Sequence, residues 1–92
     1  MSDLDQLTNE ELEKLFLQQS EEVKKAKSAS DEEKLYLYKY FKQATVGDIN
    51  IEEPSFFSFT EKAKYNAWKS VEDTSKKVSM KKYIKKTYEL LK

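Results

Sequence analysis

The chain contains no cysteine and no histidine among its 92 residues. These absences exclude disulfides, thiolate and imidazole metal ligands, cysteine nucleophiles and every catalytic arrangement built on a histidine base. Arginine is also absent, so lysine supplies all the positive charge of the side chains. Bidentate recognition of phosphates or guanine edges by a guanidinium is therefore excluded, and a phosphate would be met by lysine as a point charge.

Glycine and proline occur once each, and clusters of β-branched residues are rare. This composition favours an all-helical domain, because few positions break a helix or prefer a strand. At this length we expect a single domain over residues 1–92 with one modest hydrophobic core. The first residues are polar and acidic, and no later stretch is apolar enough to cross a bilayer. We therefore expect a cytoplasmic protein, with residues 1–8 as a loose N-terminal extension.

Seventeen lysines balance seventeen acidic residues, but the two signs are distributed unevenly along the chain. Residues 1–33 carry ten acids and four lysines, a net charge of −6, whereas residues 74–92 carry seven lysines and one glutamate, a net charge of +6. We expect the two terminal segments to attract each other and lie side by side, with most of these charges facing solvent.

Two capping-box patterns mark the starts of helices. Residues 8–11 (TNEE) predict a first helix over about residues 9–27, with an acidic outer face. Residues 30–33 (SDEE) repeat the pattern and predict a second helix. It should end near Gly47, because glycine readily adopts the left-handed conformation that follows many helices.

The stretch GDINIEEPSFFSF, residues 47–59, lacks helical periodicity and contains the proline. It predicts a long ordered loop. We expect Phe56, Phe57 and Phe59 to pack over one end of the bundle and hold this loop in place.

Two further helices follow the loop. Ser58 with Glu61 makes another capping pattern and predicts a short third helix, which ends at a break over residues 73–75. The fourth helix carries one apolar stripe, formed by Met80, Tyr83, Ile84, Thr87 and Leu91, with most of its lysines away from it. Because heptads are not sustained, a long coiled coil is disfavoured and a four-helix bundle remains.

The second helix carries rings or aliphatic side chains around most of its circumference, more than one core-facing stripe requires. Tyr38, Phe41 and Lys42 stand at i, i+3 and i+4, so two rings and one ammonium group share one surface patch. Such a patch suits a ligand with a flat ring and a phosphate. Packing against a neighbouring helix would account for it equally well. Lys64 and Tyr83 are weaker candidates, since an ordinary solvated lysine and a core tyrosine explain them too.

The sequence shows no catalytic or metal site. Serine and threonine have no histidine to activate them, and a lysine base would need burial in a chain whose lysines lie mainly on polar faces. The carboxylates that adjoin in sequence point in different directions, and residues 48–52 lack the length and ligand pattern of an EF-hand loop. We therefore expect no enzyme activity, no metal and no cofactor.

Three stretches, YKYFKQATVGDINIEEP, FTEKAKYNAWKSVEDTS and MKKYIKKTYELL, resemble the acyl-CoA-binding protein family. The family pairs an aromatic-x-x-aromatic-Lys-Gln-Ala-Thr-x-Gly segment with a Lys-Ala-Lys-aromatic-x-Ala-Trp segment. The resemblance covers about residues 14–91. It implies a four-helix bundle of up-down-down-up topology that binds one long-chain acyl-CoA thioester and is not an enzyme.

The resemblance also implies a set of ligand-binding residues. Tyr38 and Lys42 match a tyrosine and a lysine that contact the nucleotide in the family, with Lys42 meeting the 3′-phosphate. Phe41 falls on a family tyrosine, so its ring is kept and its hydroxyl is lost. Lys64 matches a phosphate contact, and Tyr83 matches a tyrosine near the adenine.

Three other positions complete the expected site or depart from the family pattern. Lys24 is similar to the cation on the family's first helix. Thr60 stands where many members have a basic residue, and Lys34 where an apolar residue often touches the acyl chain. The expected ligand-binding set is therefore Lys24, Tyr38, Phe41, Lys42, Thr60, Lys64 and Tyr83.

The expected function is non-catalytic intracellular binding, buffering and transport of long-chain fatty acyl-CoA by a monomer, with transient contact with acyl-CoA-using enzymes or membranes. A helical protein-interaction module is the alternative, and it would use the same rings as a docking surface. A nucleic-acid binder is disfavoured by the zero net charge, the absence of arginine and the acidic first helix.

Overall fold

The computed structural model describes residues 3–26 and 28–92. Its four α-helices are α1 (Asn9–Glu22), α2 (Asp31–Thr45), α3 (Phe59–Lys69) and α4 (Lys76–Leu90). Short 3₁₀ helices, Asp3–Gln6 and Val23–Lys25, flank α1. The predicted all-helical four-helix architecture is confirmed. The first helix was predicted to run to about residue 27, which is too long: α1 ends at Glu22, the 3₁₀ turn that follows ends at Lys25, and Ala26 is extended with ψ of 135°. Residue 27 itself lies outside the described residues.

Both predicted capping boxes form at the starts of α1 and α2. The hydroxyl of Thr8 accepts from the backbone N–H of Glu11 at 3.1 Å, and the Glu11 carboxylate accepts from the backbone N–H of Thr8 at 2.9 Å. Ser30 and Glu33 make the same reciprocal pair, at 3.1 and 2.9 Å. Backbone donors that have no partner inside the helix are thereby satisfied.

The start of α3 differs from this pattern. Ser58 precedes the helix but makes no side-chain capping bond, so the predicted capping by Ser58 and Glu61 is wrong. The physical reason is the backbone: ψ at Ser58 is 77°, whereas the residues that cap α1 and α2 have ψ of 166° and 164°. At α4, the hydroxyl of Ser75 does accept from the backbone N–H of Val78, at 3.1 Å.

Side-chain pairs between α1 and α4 show that these helices run in the same direction. The Thr87 hydroxyl, near the end of α4, donates to Gln19 Oε1 near the end of α1, at 2.8 Å. Asp5, just before α1, pairs with Lys81 in the first half of α4, at 2.7 Å. The acidic and basic ends of the chain therefore lie side by side, as their charges predicted.

The other helix pairs complete the topology. Lys64 lies over Tyr38 and Lys42 lies over Trp68, so α2 and α3 are parallel. Lysines of α4 meet tyrosines of α2 in the reverse order, so α2 and α4 are antiparallel. This is the predicted up-down-down-up arrangement. The connection over residues 46–58 can span at most about 45 Å when extended, which is ample to return along α2, about 22 Å long.

The core lies where α4 packs against α1 and α2. Its buried members are Leu4, Leu12, Phe16, Ala44, Tyr83 and Ile84, with Leu37, Tyr40 and Met80 partly buried against them. Burial of each large apolar side chain contributes about 1.5–3 kcal/mol. At the end of α3, Trp68 and Val71 are also buried. The predicted stripe on α4 is confirmed except at Leu91, which is exposed.

The N-terminal segment is packed over the part that the structure describes. Leu4 is only 6% exposed and belongs to the core, while Asp5 makes its ion pair with α4. The expected loose extension over residues 1–8 is therefore wrong for residues 3–8, because burying one leucine and pairing one carboxylate fix this segment. Met1 and Ser2 lie outside the described residues.

The phenylalanines of the long loop do not hold it in place. Phe56, Phe57 and Phe59 are 67%, 76% and 79% exposed, so the expected packing over the bundle is wrong. Polar bonds near the start of the loop supply the attachment instead. The Trp68 indole N–H donates to the carbonyl of Gly47 at 2.9 Å.

A carboxylate strengthens this attachment. Asp48 accepts hydrogen bonds from the side chain of Gln43 and from the backbone N–H of Asp73, each at 2.8 Å. Gly47 has the predicted left-handed backbone, with φ of 100°, and Asp73 has φ of 70°. Because a non-glycine residue rarely adopts positive φ, the hydrogen bond that the Asp73 N–H donates to Asp48 helps to hold the turn between α3 and α4.

Candidate functional site

The surface between α2 and α3 carries two reciprocal pairs of a lysine and an aromatic ring. On this α2–α3 surface, the Lys64 ammonium lies 5.6 Å from the ring centre of Tyr38, and the Lys42 ammonium lies 5.0 Å from that of Trp68. The members of each helix are four residues apart, so parallel helices place the pairs one turn after the other. Each such contact contributes about 0.5–1 kcal/mol at exposed sites.

The ring beneath Lys42 is fixed in position. Trp68 is 1% exposed, and its indole N–H is bonded to the Gly47 carbonyl. Lys42 itself is partly buried on the last turn of α2. The ring keeps the Lys42 ammonium at this surface, where it can meet a phosphate as a point charge.

The second pair is looser. Lys64 also approaches the Glu61 carboxylate, at 3.9 Å, on the exposed side of α3. Partial burial raises the pKa of the Tyr38 phenol, and the charge of Glu61 raises it further. Tyr38 therefore stays a neutral phenol at physiological pH, which can offer a ring face and an O–H donor.

An apolar groove adjoins this surface at the start of α2 and α3. Its volume is about 360 Å³, and it is lined by Asp31, Lys34, Leu35, Phe59, Thr60, Ala63 and Lys64. This volume lies in the range of ligand clefts. Three residues singled out from the sequence, Lys34, Thr60 and Lys64, lie in the groove together. Since Lys64 belongs to both features, the groove leads directly to the paired lysines.

Phe41 and Tyr83 lie together in the aromatic part of the core. Their ring centres are 5.8 Å apart, and both pack on Phe16, at 5.4 and 5.0 Å. Tyr83 is only 5% exposed, a degree of burial that fits a core tyrosine. Burial raises the pKa of its phenol, and the charge of Glu21 adds to the effect. Phe41 precedes Lys42, so this aromatic group adjoins the α2–α3 surface through α2.

Lys24 lies in a different place. It belongs to the 3₁₀ turn after α1 and pairs with Glu21 at 3.2 Å, with both side chains exposed. It lines a second open groove, of about 490 Å³, together with Leu37 and Leu90. Lys34 lines this groove and the one between α2 and α3, and is the link between Lys24 and the rest of the candidate site.

Sequence reasoning missed the role of Trp68 as the support of Lys42. The signal was present in the spacing of these residues. On α2 a ring is followed by a cation four residues later, Tyr38 and Lys42, and on α3 a cation is followed by a ring at the same spacing, Lys64 and Trp68. Reading it required knowing that the two helices are parallel neighbours. The apolar contributions of Leu35 and Phe59 to the groove were missed for the same reason.

Within residues 3–26 and 28–92, no group of three or more His, Cys, Asp or Glu side chains could hold a metal ion. None of the helices in those ranges has both the length and the hydrophobicity needed to cross a membrane.

Comparison with known proteins gives a consistent result. The family model "Acyl CoA binding protein" matches residues 13–87. The chain is 47% identical over 77 residues to acyl-CoA-binding domain-containing protein 1 of Oryza sativa subsp. japonica, which covers 83% of this chain and 85% of that protein. It is 46% identical over 77 residues to an acyl-CoA-binding protein of Brassica napus, with 83% and 84% covered.

Solved structures agree with these sequence matches. Oryza sativa acyl-CoA-binding protein 2 gives a TM-score of 0.84 at 40% identity, covering 87% of this chain and 88% of that one. The acyl-CoA-binding protein of Moniliophthora perniciosa gives 0.80 at 49% identity, covering 86% and 79%. The chain therefore belongs to the acyl-CoA-binding protein family, a family of binding proteins, and the resemblance seen in its sequence is confirmed.

Proposed function

We propose that this protein binds long-chain fatty acyl-CoA thioesters without catalysis, and that the α2–α3 surface is the centre of the site. The observation that carries the proposal is the apolar groove that leads to two ring-supported lysines. An acyl-CoA has matching chemistry, since an apolar chain, phosphates and a flat base are joined in one molecule. The family to which the chain belongs supports the same ligand.

The acyl chain is assigned to the groove. Leu35, Phe59 and Ala63 supply its apolar wall, and each methylene removed from water contributes about 0.8 kcal/mol. Lys34 brings its aliphatic stem and an ammonium to the same groove, so the chain meets a partly polar edge there. Thr60 adds a hydroxyl at a position where the family often has a basic residue.

The phosphates are assigned to Lys42 and Lys64, with Lys42 taking the 3′-phosphate. Leaving the ring forfeits about 0.5–1 kcal/mol, and a charge-assisted bond to a phosphate returns about 1.5–3 kcal/mol. Tyr38 presents its ring and hydroxyl beside them. Lys24 supplies a further cation on release from Glu21.

The nucleotide base is assigned to the aromatic side of α2. Phe41, partly buried on α2, offers the ring there, and Tyr83 of α4, 5% exposed, packs against it in the core with ring centres 5.8 Å apart. Phe41 contributes stacking and no hydrogen bond, since it has no hydroxyl.

The cellular role that we propose is that of a carrier. The protein buffers and transports long-chain acyl-CoA in the cytoplasm as a monomer, needs no cofactor, and contacts acyl-CoA-using enzymes or membranes transiently. A non-catalytic role agrees with the absence of histidine and cysteine. The family match gives no support to the alternative of a helical protein-interaction module.

Isothermal titration with palmitoyl-CoA tests the proposal, with coenzyme A and palmitate titrated separately. We expect one-to-one binding of the thioester and far weaker binding of either fragment, because each fragment engages only half of the site. Absence of heat and of competition with any acyl-CoA would contradict the proposal.

A matched pair of variants tests the position of the site. Lys64 and Lys69 both lie on α3 over a tyrosine ring, at 5.6 and 5.7 Å, but only Lys64 adjoins the groove. Lys64→Ala should weaken palmitoyl-CoA binding about 3- to 10-fold, whereas Lys69→Ala should leave it unchanged. Equal losses would move the site away from the α2–α3 surface.

A further inference from the structure

Three phenylalanines near the end of the long loop are exposed, and two of them, Phe56 and Phe57, lie outside the proposed ligand site. Phe56 and Phe57 are 67% and 76% exposed, and their ring centres lie 4.3 Å apart. Phe59, at the first turn of α3, is 79% exposed. Single exposed apolar side chains are common, but a contiguous group of large rings marks a surface that meets an apolar partner.

One of the three rings also lines the groove. Phe59 is among the residues that line it, and Ala63, one turn further along α3, is another. Phe56 and Phe57 do not line the groove, but they precede Phe59 by only three and two residues in the chain. The exposed rings therefore lie close in sequence to a wall of the groove.

The charged residues named near the three rings have a small negative excess. Lys62 forms an ion pair with Glu53, and Lys64 lies 3.9 Å from Glu61. Glu52, next to Glu53 in the chain, is also exposed. A surface with this charge gives no attraction to a polyanion and is compatible with zwitterionic headgroups.

The chemistry of the phenylalanine rings also favours an uncharged, apolar partner. Phenylalanine has no hydrogen-bonding group, so it can leave water without needing a polar partner. The most direct occupant of three such rings is the boundary between headgroups and acyl chains of a bilayer.

We propose that Phe56, Phe57 and Phe59 insert into the interface of a zwitterionic phospholipid bilayer and bring the mouth of the groove to its surface. Docking follows from the rings alone. Its role, passage of an acyl chain between bilayer and groove without crossing water, rests on the proposed function.

Sedimentation of the ligand-free protein with phosphatidylcholine vesicles tests the docking. The double variant Phe56→Ser/Phe57→Ser should reduce the bound fraction about tenfold, because most of the inserting area is lost. Leu17→Ser is the matched control, since Leu17 is an exposed apolar residue of α1, 53% exposed. That variant should bind vesicles like the parent protein. Added salt should have little effect, because insertion of the rings does not depend on attraction between opposite charges.

Several results would overturn the proposal. They are failure of the parent protein to sediment with vesicles, equal loss in the Leu17→Ser control, and binding only to anionic vesicles with steep salt dependence. Light scattering that shows a dimer of the parent and a monomer of the double variant would make a second copy the occupant.

Palmitoyl-CoA titration of the double variant separates this proposal from the preceding one. Unchanged affinity is expected, since Phe56 and Phe57 lie outside the groove. Lost affinity with vesicle binding retained would assign the rings to the ligand and reject the docking. If the parent protein binds vesicles but not palmitoyl-CoA, the docking stands and the carrier proposal fails.

Discussion

Two surfaces of α2 combine aromatic rings with lysines, and the one between α2 and α3 adjoins an apolar groove. On the α2–α3 surface, each lysine belongs to one helix and its ring to the other, and one ring is buried and bonded to the backbone. The opposite face, the α2–α4 surface, has Tyr36, Lys39 and Tyr40 on α2 and Lys82 and Lys86 on α4. Both surfaces of α2 therefore consist of lysines placed over aromatic rings.

The difference lies in what surrounds the rings. Tyr36 and Tyr40 pack edge to face, with ring centres 4.9 Å apart, and the Lys39 ammonium lies over both rings. These contacts already occupy part of the ring surfaces. Lys86 pairs with Glu89 at 3.1 Å. The concave surface beside Tyr36 is lined by Glu33, which would repel a phosphate. Rings and cations therefore define a site only where an apolar groove and a fixed support accompany them.

The largest expected effect is a loss of stability when Trp68, the buried ring beneath Lys42, is removed. Trp68→Ala should lower the free energy of unfolding by about 3–5 kcal/mol, because a buried ring is lost and the Gly47 carbonyl loses its donor. Tyr36→Ala, on the half-buried α2–α4 surface, should cost about 1 kcal/mol. Urea unfolding followed by circular dichroism measures both. Similar costs would show that the two surfaces are supported alike.

The second effect concerns affinity. Lys42→Ala should raise the dissociation constant for palmitoyl-CoA about 10- to 150-fold, the equivalent of about 1.5–3 kcal/mol for a lost charge-assisted bond. Lys82→Ala removes a cation that lies 6.0 Å from the ring of Tyr40 on the other surface, and should change the constant less than about twofold. Calorimetric titration distinguishes them. A larger loss from Lys82→Ala would reverse the assignment of the two surfaces.

The smallest effects are those of pH on stability. Hydrogen bonds from the Asp73 backbone and then from Gln43 lower the pKa of Asp48, which holds the loop below the α2–α3 surface. The folded carboxyl thus has the lower pKa, so its stabilisation is present above the unfolded value of about 3.9 and is lost as the pH falls through the folded value. Asp48→Asn keeps an acceptor but does not titrate. It should flatten the acid limb of the stability profile.

On the α2–α4 surface the pKa shift has the opposite sign, because a lysine is affected and its pKa is raised. A hydrogen bond to Glu89 is the main cause that raises the pKa of Lys86. Its stabilisation is present below the unfolded value of about 10.4 and is lost as the pH rises through the folded value. Lys86→Met should therefore alter only the alkaline limb. If either variant changed the limb assigned to the other, the two surfaces would not titrate independently.

Local rules predicted much of this fold. Thr8 with Glu11 and Ser30 with Glu33 marked helix starts because a capping box needs only four consecutive residues. The stripe on α4 followed from helical periodicity alone. Ser58 failed because capping also needs an extended ψ, which the preceding loop does not provide.

Long-range contacts explain the rest. The burial of Leu4 depends on α1 and α4 lying together, and no local pattern shows this. The exposure of Phe56 and Phe57 reverses the usual expectation for large apolar residues. In the candidate site, the individual residues were predicted from the resemblance to the family, and they stay a prediction. The support of Lys42 by Trp68 became visible only with the parallel packing of α2 and α3.

The contact between Lys42 and Trp68 also has an optical consequence. Trp68 is the only tryptophan of the chain, and the charge of Lys42 lies 5.0 Å from its ring centre. An indole's emission responds to a nearby charge, so a phosphate that draws this ammonium away changes the fluorescence of the unlabelled protein. The fluorescence of Trp68 thus reports whether a phosphate is bound to Lys42.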